Sequence, residues 1–172
     1  MAREMIKGAV TVLGGFVSAD AVLPARFSFV KPEEMAEHVL EEISPEINAA
    51  VRARPIIVAG EAFGYGTGRE SPARALRAAG VRAIIGGPFA RMFFRNAINN
   101  GVLVLDCAAI VTSGIADGDE VEIDAASGLI RWKDREFETR AVPEIIQNII
   151  SAGSLIDYGR TVIHGADAKR PA

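Results

Sequence analysis

The chain has 172 residues, 49% hydrophobic and 24% charged, with a formal net charge of −3, an ordinary globular composition with room for one domain and a sizeable core. No basic block suits a nucleic acid, the apolar stretches are broken by Arg, Gly or Pro short of membrane-spanning length, and the first residues carry no signal-peptide core, so the expectation is a soluble cytoplasmic protein. The single cysteine, Cys107, excludes an internal disulfide and cannot by itself hold an iron–sulfur cluster.

In chain order, Lys7 to Leu13 alternates weakly and predicts a strand that ends at Gly14-Gly15. The stretch from Phe16 to Arg26 embeds one carboxylate, Asp20, among small and apolar residues, where an aspartate is more often a turn or cap residue than a catalytic one. In Arg26-Phe27-Ser28-Phe29-Val30 the two aromatics either line an apolar pocket or belong to the core, and core is the commoner case. Lys31 to Ile43 places Pro32 near its start, acids in its first turn and apolar residues at Met35, Val39 and Ile43. That pattern predicts an amphipathic helix, with His38 solvated among the acids of its polar face. Ser44 as N-cap and Pro45 at the first helical position predict a second short helix reaching Arg54. Pro55 to Ala59 reads as a short buried strand.

Gly60 to Arg69, Gly-Glu-Ala-Phe-Gly-Tyr-Gly-Thr-Gly-Arg, joins this strand to a helix from Ser71 to Ala79 that stops at Gly80. A glycine-rich turn ahead of a helix leaves backbone N–H groups pointing outward beside the positive end of the helix dipole, a setting that suits carboxylates and phosphates. The spacing fits neither a dinucleotide fingerprint, which needs a further glycine where Arg69 or Ser71 stands, nor a Walker loop, which needs Lys after Gly68. Two readings remain from the residues alone. Thr67 and Arg69 present a hydroxyl and a guanidinium to a carboxylate, or the glycines only permit a tight turn and Arg69 is solvated.

Beyond the loop, a strand from Arg82 to Gly86, a helix from Phe89 to Asn99 and a strand from Val102 to Leu105 alternate, as in a parallel or mixed sheet flanked by helices. Arg91, Arg95 and Asn96 lie near one side of that helix and either support the loop or face a partner. Cys107 reads as a small buried hydrophobe. The last third changes character: Glu120 to Asp124, Leu129 to Lys133 and Glu136 to Arg140 predict antiparallel strands with one polar face. A helix from Pro143 to Ser151 carries Ile145, Ile146, Ile149 and Ile150 on the side that docks against them.

The run Ile56 to Glu70, followed by Ala83-Ile84-Ile85, Phe89-Ala90-Arg91 and Phe94 to Gly101, resembles the small subunits of 3-isopropylmalate dehydratase, in the aconitase superfamily, over roughly the first two thirds of the chain. The resemblance implies an α/β fold, the swivelling three-layer β/β/α domain, spanning residues 1–172; the end of the chain, with no helix or strand pattern over Lys169-Arg170-Pro171-Ala172, is expected to be disordered from about residue 165. The resemblance also implies a hydro-lyase active only with a large subunit that carries a four-iron cluster, this chain binding no metal or cofactor itself. The reaction so implied interconverts 2- and 3-isopropylmalate by dehydration and rehydration, in leucine biosynthesis. Alternatives are a related dehydratase acting on homoaconitate, citraconate or methylmalate, or dimethylmalate, a non-catalytic binding paralogue, or a stand-alone anion-binding domain.

Residue by residue, Thr67 stands where the family has its proton-abstracting serine, in Gly-x-Gly-Ser-Ser-Arg-Glu, and Arg69 where it has the arginine that grips a substrate carboxylate. Asp20 stands at the second Asp of the family's Asp-Thr-Asp-x-Ile-Ile-Pro. These three are the expected catalytic residues. Gly66 and Gly68 of the loop, and Arg26, Phe27 and Ser28 in place of the loop that sets substrate choice, are the expected substrate-binding residues. Ser18, Ala19, Gly68 and Ser71 depart from the family pattern, and Phe27-Ser28 replaces the usual Tyr-Leu pair.

Overall fold

The computed structural model describes residues 5–167, and its centre is strand β1 (Met5–Leu13). On one side β1 pairs in parallel with β3 (Ile56–Ala59), which pairs with β5 (Ala83–Gly86), which pairs with β6 (Leu103–Asp106). On the other it pairs antiparallel with β7 (Glu120–Asp124), followed by β8 (Leu129–Trp132) and β9 (Arg135–Glu138). The seven strands thus run in the order β6-β5-β3-β1-β7-β8-β9, half parallel and half antiparallel. Strands β2 (Phe16–Ser18) and β4 (Ala62–Tyr65) form a separate parallel pair.

The period-two alternation of the parallel strands divides the core. Ile57, Ala59, Ile84 and Val104 face the helical layer, where they join Met35 of α2 (Pro32–Glu37), Val51 of α3 (Pro45–Ala53), Leu76 of α4 (Ser71–Ala78) and Phe93 of α5 (Arg91–Asn99). Their neighbours Ile56, Val58, Ile85, Leu103 and Leu105 face the other way. They share a cluster with Val121, Ile123, Ile130, Trp132 and Phe137 of the antiparallel strands, Ile110 of α6 (Ala108–Val111) and Ile150 of α7 (Glu144–Ala152). Helices, parallel strands and antiparallel strands therefore stack as three layers, and strands buried on both faces explain the near-continuous apolar runs. Cys107 lies in the second cluster, 5% exposed, and burial raises its thiol pKa.

Three sequence expectations are corrected. The helix expected over 31–43 ends at Glu37: Leu40 takes a left-handed backbone (φ 57°), is fully buried and donates its N–H to the Val22 carbonyl, so core packing bends the chain away from the helix. The Gly60–Arg69 stretch is not all loop, because Ala62–Tyr65 within it is β4. Of the four isoleucines on α7, Ile149 and Ile150 are buried but Ile145 is 51% exposed. A further helix, α8 (Leu155–Asp167), reaches into the stretch expected to be disordered, whose end, residues 168–172, lies outside the described residues.

Candidate active site

Two arms rise from the β2–β4 pair. At the end of β2, Ser18 accepts the Ala21 N–H (3.0 Å) and caps the single turn α1 (Ala19–Val22), which holds Asp20 on its exposed side. At the end of β4 the chain enters the glycine turn at Gly66, whose φ of 110° only glycine adopts freely, and reaches Thr67, Gly68 and Arg69 before α4. Ser18 pairs with Tyr65 in the ladder, so the arms start side by side.

The arms meet at Arg69. Its Nη2 donates to Asp20 Oδ1 and its Nη1 to Ser28 Oγ, which also accepts from Ser71 Oγ (3.1 Å). A guanidinium has more donors than these two contacts use, so the fork keeps N–H groups for an incoming carboxylate. The Arg69 backbone N–H donates to Thr67 Oγ1 (3.3 Å). Asn96 of α5 closes the turn from behind, its Nδ2 donating to the Gly68 carbonyl (3.2 Å) and the Arg69 carbonyl (3.1 Å). Asn100, one turn on, donates to Glu70 (2.9 Å). The alternative left open for Asn96 is thereby decided in favour of loop support. Arg91 and Arg95 are exposed, with no ion pair among the described residues.

Of the expected site residues, Thr67, Arg69, Asp20, Gly66, Gly68 and Ser28 come together. Arg26 and Phe27 do not join them. The Arg26 guanidinium is tied to Glu41 (3.0 Å) and Glu42 (2.8 Å) and lies 4.7 Å from the centre of the Phe27 ring. The ring also stacks on His38, at 3.6 Å and 6°, and packs against the edge of the first core cluster. His38 is accordingly not a solvated histidine but half-buried, with Nδ1 2.6 Å from Glu41 Oε2; ending α2 at Glu37 is what turns it toward Phe27. Phe29 is 99% exposed, against the core reading, whereas Phe27 is half-buried at the edge of the core. In the sequence Ser71 stands out only as a departure from the family pattern; in the structure it is buried and holds Ser28. No periodicity announces such a contact between residues 43 apart.

Around this group stand Phe16, Tyr65 and Met92, each at least about a third exposed, an unusual collection of bare apolar side chains beside polar ones. The described residues contain no group of three His, Cys, Asp or Glu fit to hold a metal ion, and the lone buried Cys107 is no substitute for several thiolates. Among the described residues no donor set would hold the four-iron cluster that the resemblance assigns to a large subunit.

Residues 31–109 match the family model described as the aconitase C-terminal domain. The chain is 42% identical over 155 residues to the 2,3-dimethylmalate dehydratase small subunit of Eubacterium barkeri, covering 88% of this chain and 94% of that one. It is 39% identical over 161 residues to the 3-isopropylmalate dehydratase small subunit of Methanosarcina mazei, covering 92% and 98%. A crystal structure of a 3-isopropylmalate dehydratase chain from Methanocaldococcus jannaschii superimposes with a TM-score of 0.80 at 32% identity, over 95% of this chain and 99% of that one. Aconitase X of Thermococcus kodakaraensis, at 22% identity and a TM-score of 0.55, shares the fold.

Proposed function

The chain belongs to the family of dehydratase small subunits built on the aconitase C-terminal domain, and from that premise we propose that it forms a hydro-lyase with a larger, cluster-bearing partner and interconverts 2- and 3-isopropylmalate. The observation that carries the reading is the convergence of Thr67, Arg69, Asp20 and Ser28 from three separate segments onto one exposed spot. A related hydroxy-acid, of the 2,3-dimethylmalate type, is the second reading, favoured by the identity to the Eubacterium barkeri subunit.

Arg69 binds a substrate carboxylate through the N–H groups left free beside Asp20 and Ser28, and the bidentate geometry sets the orientation of the substrate carbons. Asp20 keeps the guanidinium aimed and balances its charge. Thr67 Oγ1 takes the proton from carbon and returns it in the reverse step. An alkoxide is a costly base, and the Arg69 N–H already directed at Oγ1 favours its charged form. The Gly68 N–H, on an exposed residue with no side chain of its own, offers a further donor. A four-iron cluster, held by the partner, would supply Lewis acidity toward the departing hydroxyl.

The test is an anaerobic assay of the chain with a cluster-loaded large subunit over a panel of alkylmalates, following absorbance of the unsaturated acid. Thr67→Ala is expected to lower kcat by about a thousandfold or more, and Thr67→Ser to keep it within about tenfold. Full activity of Thr67→Ala would remove the proton-transfer role.

A further inference from the structure

The turn Ala25–Phe27 is a single three-residue 3-10 element, held internally only by the Phe27 N–H to the Pro24 carbonyl and the Ser28 N–H to the Ala25 carbonyl. Such short turns define a chain poorly unless their side chains are anchored. Here the anchoring is unequal. Phe27 lies between the His38 ring, 3.6 Å away and parallel, and the Arg26 guanidinium, while Glu41 joins both sides by accepting from Arg26 Nη2 and pairing with His38 Nδ1. Two residues later Phe29 is 99% exposed. Ser28, between the held residue and the bare one, is the residue that touches Arg69 and Ser71.

We propose that His38, with Glu41, is a positioning residue of the site: by clamping Phe27 and Arg26 it fixes the turn that presents Ser28 to Arg69, and so sets how Arg69 receives a carboxylate. The kinetic side of this rests on the dehydratase reading above; the structural side does not. Arg69 grips the carboxylate in ground state and transition state alike, so loosening its aim weakens uniform binding and falls on KM more than on kcat.

Two readouts test it. In the complex with a cluster-loaded large subunit, His38→Ala is expected to raise KM about tenfold with kcat within about threefold, whereas His38→Phe, which keeps the stacked ring, returns KM to within about twofold of wild type. In the isolated chain, trypsin followed by mass spectrometry is expected to cut the Arg26–Phe27 bond about tenfold faster in His38→Ala, because a site held in a turn must open before it is cleaved. The double variant Glu41→Gln, Glu42→Gln, which removes the charges paired with Arg26 and His38 while keeping side-chain volume, is expected to shift both readouts in the same direction. Cleavage at Arg26 within twofold of wild type in both His38→Ala and the double variant would overturn the proposal, as would a rise in KM that His38→Phe fails to reverse. Should the wild-type complex turn over no alkylmalate while the cleavage pattern is as expected, the dehydratase reading fails and the clamp stands.

Discussion

At the scale of single residues, the site depends on hydroxyls, and one other hydroxyl shows what an idle one costs. Thr11 sits in β1, 1% exposed, and its Oγ1 has no hydrogen-bond partner among the described residues. A buried unpaired hydroxyl costs roughly 1–3 kcal/mol, so Thr11→Val is expected to stabilise the fold by about 1 kcal/mol and raise Tm by about 2–4 °C in thermal unfolding. Thr67 differs because it accepts the Arg69 N–H and remains half-exposed. Thr67, Arg69 and Asp20 stand out as candidates through the family resemblance, since the residues alone leave Asp20 a turn or cap residue and the glycine loop with two readings. The sequence did not show that Arg26 and Phe27 turn to Glu41, Glu42 and His38, because which partner a flexible cation selects depends on chain bends such as the one at Leu40. That bend leaves no periodic trace: a leucine with positive φ is a packing outcome, and the apolar spacing of Met35, Val39 and Ile43 still suggested one long helix.

At the scale of elements, the strands and most helices were legible because patterning and punctuation agreed. Ser44 caps α3 as its position before Pro45 implies, and Ile56 to Ala59 is the buried strand its apolar run announces. β4 was hidden inside the glycine motif, since Ala62-Phe63-Gly64-Tyr65 carries turn residues and pairs only with the three-residue β2 and, by a single bridge, Phe89. The entry into β7 yields a pH prediction. Asp119 accepts the Ala116 N–H (2.9 Å) and Trp132 Nε1 (3.1 Å), with Lys133 Nζ at 3.5 Å. The Ala116 N–H above all, with help from Lys133 and Trp132, holds its pKa below the ordinary carboxylate range although burial opposes this. A lowered folded-state pKa stabilises above the unfolded value, near 3.9, and that stability is lost as pH falls through the folded value. Asp119→Asn should therefore lower Tm at pH 7, and the gap to wild type should shrink below about pH 4 in melts run across pH.

At the scale of the whole molecule, the parallel and antiparallel halves share β1, and the candidate site lies outside the large sheet on the small β2–β4 pair. It is open, rimmed by bare Phe16, Tyr65 and Met92, and lacks ligands for a cluster among the described residues. The expected outcome is that the purified chain alone turns over no alkylmalate, and that activity in mixing experiments rises with the large subunit until the two are stoichiometric. Activity of the chain by itself would contradict the split site. Finally, Asp20 and the Thr67–Arg69 turn extend from adjoining strands of one ladder, while the turn bearing Ser28 is secured elsewhere, through Phe27, to the residues after α2. The tool and the gauge are thus fastened to different parts of the frame. Because Ser28 also touches Arg69, the two fastenings are joined by one contact, and a change that re-cuts the gauge is expected to travel with a compensating change at the tool.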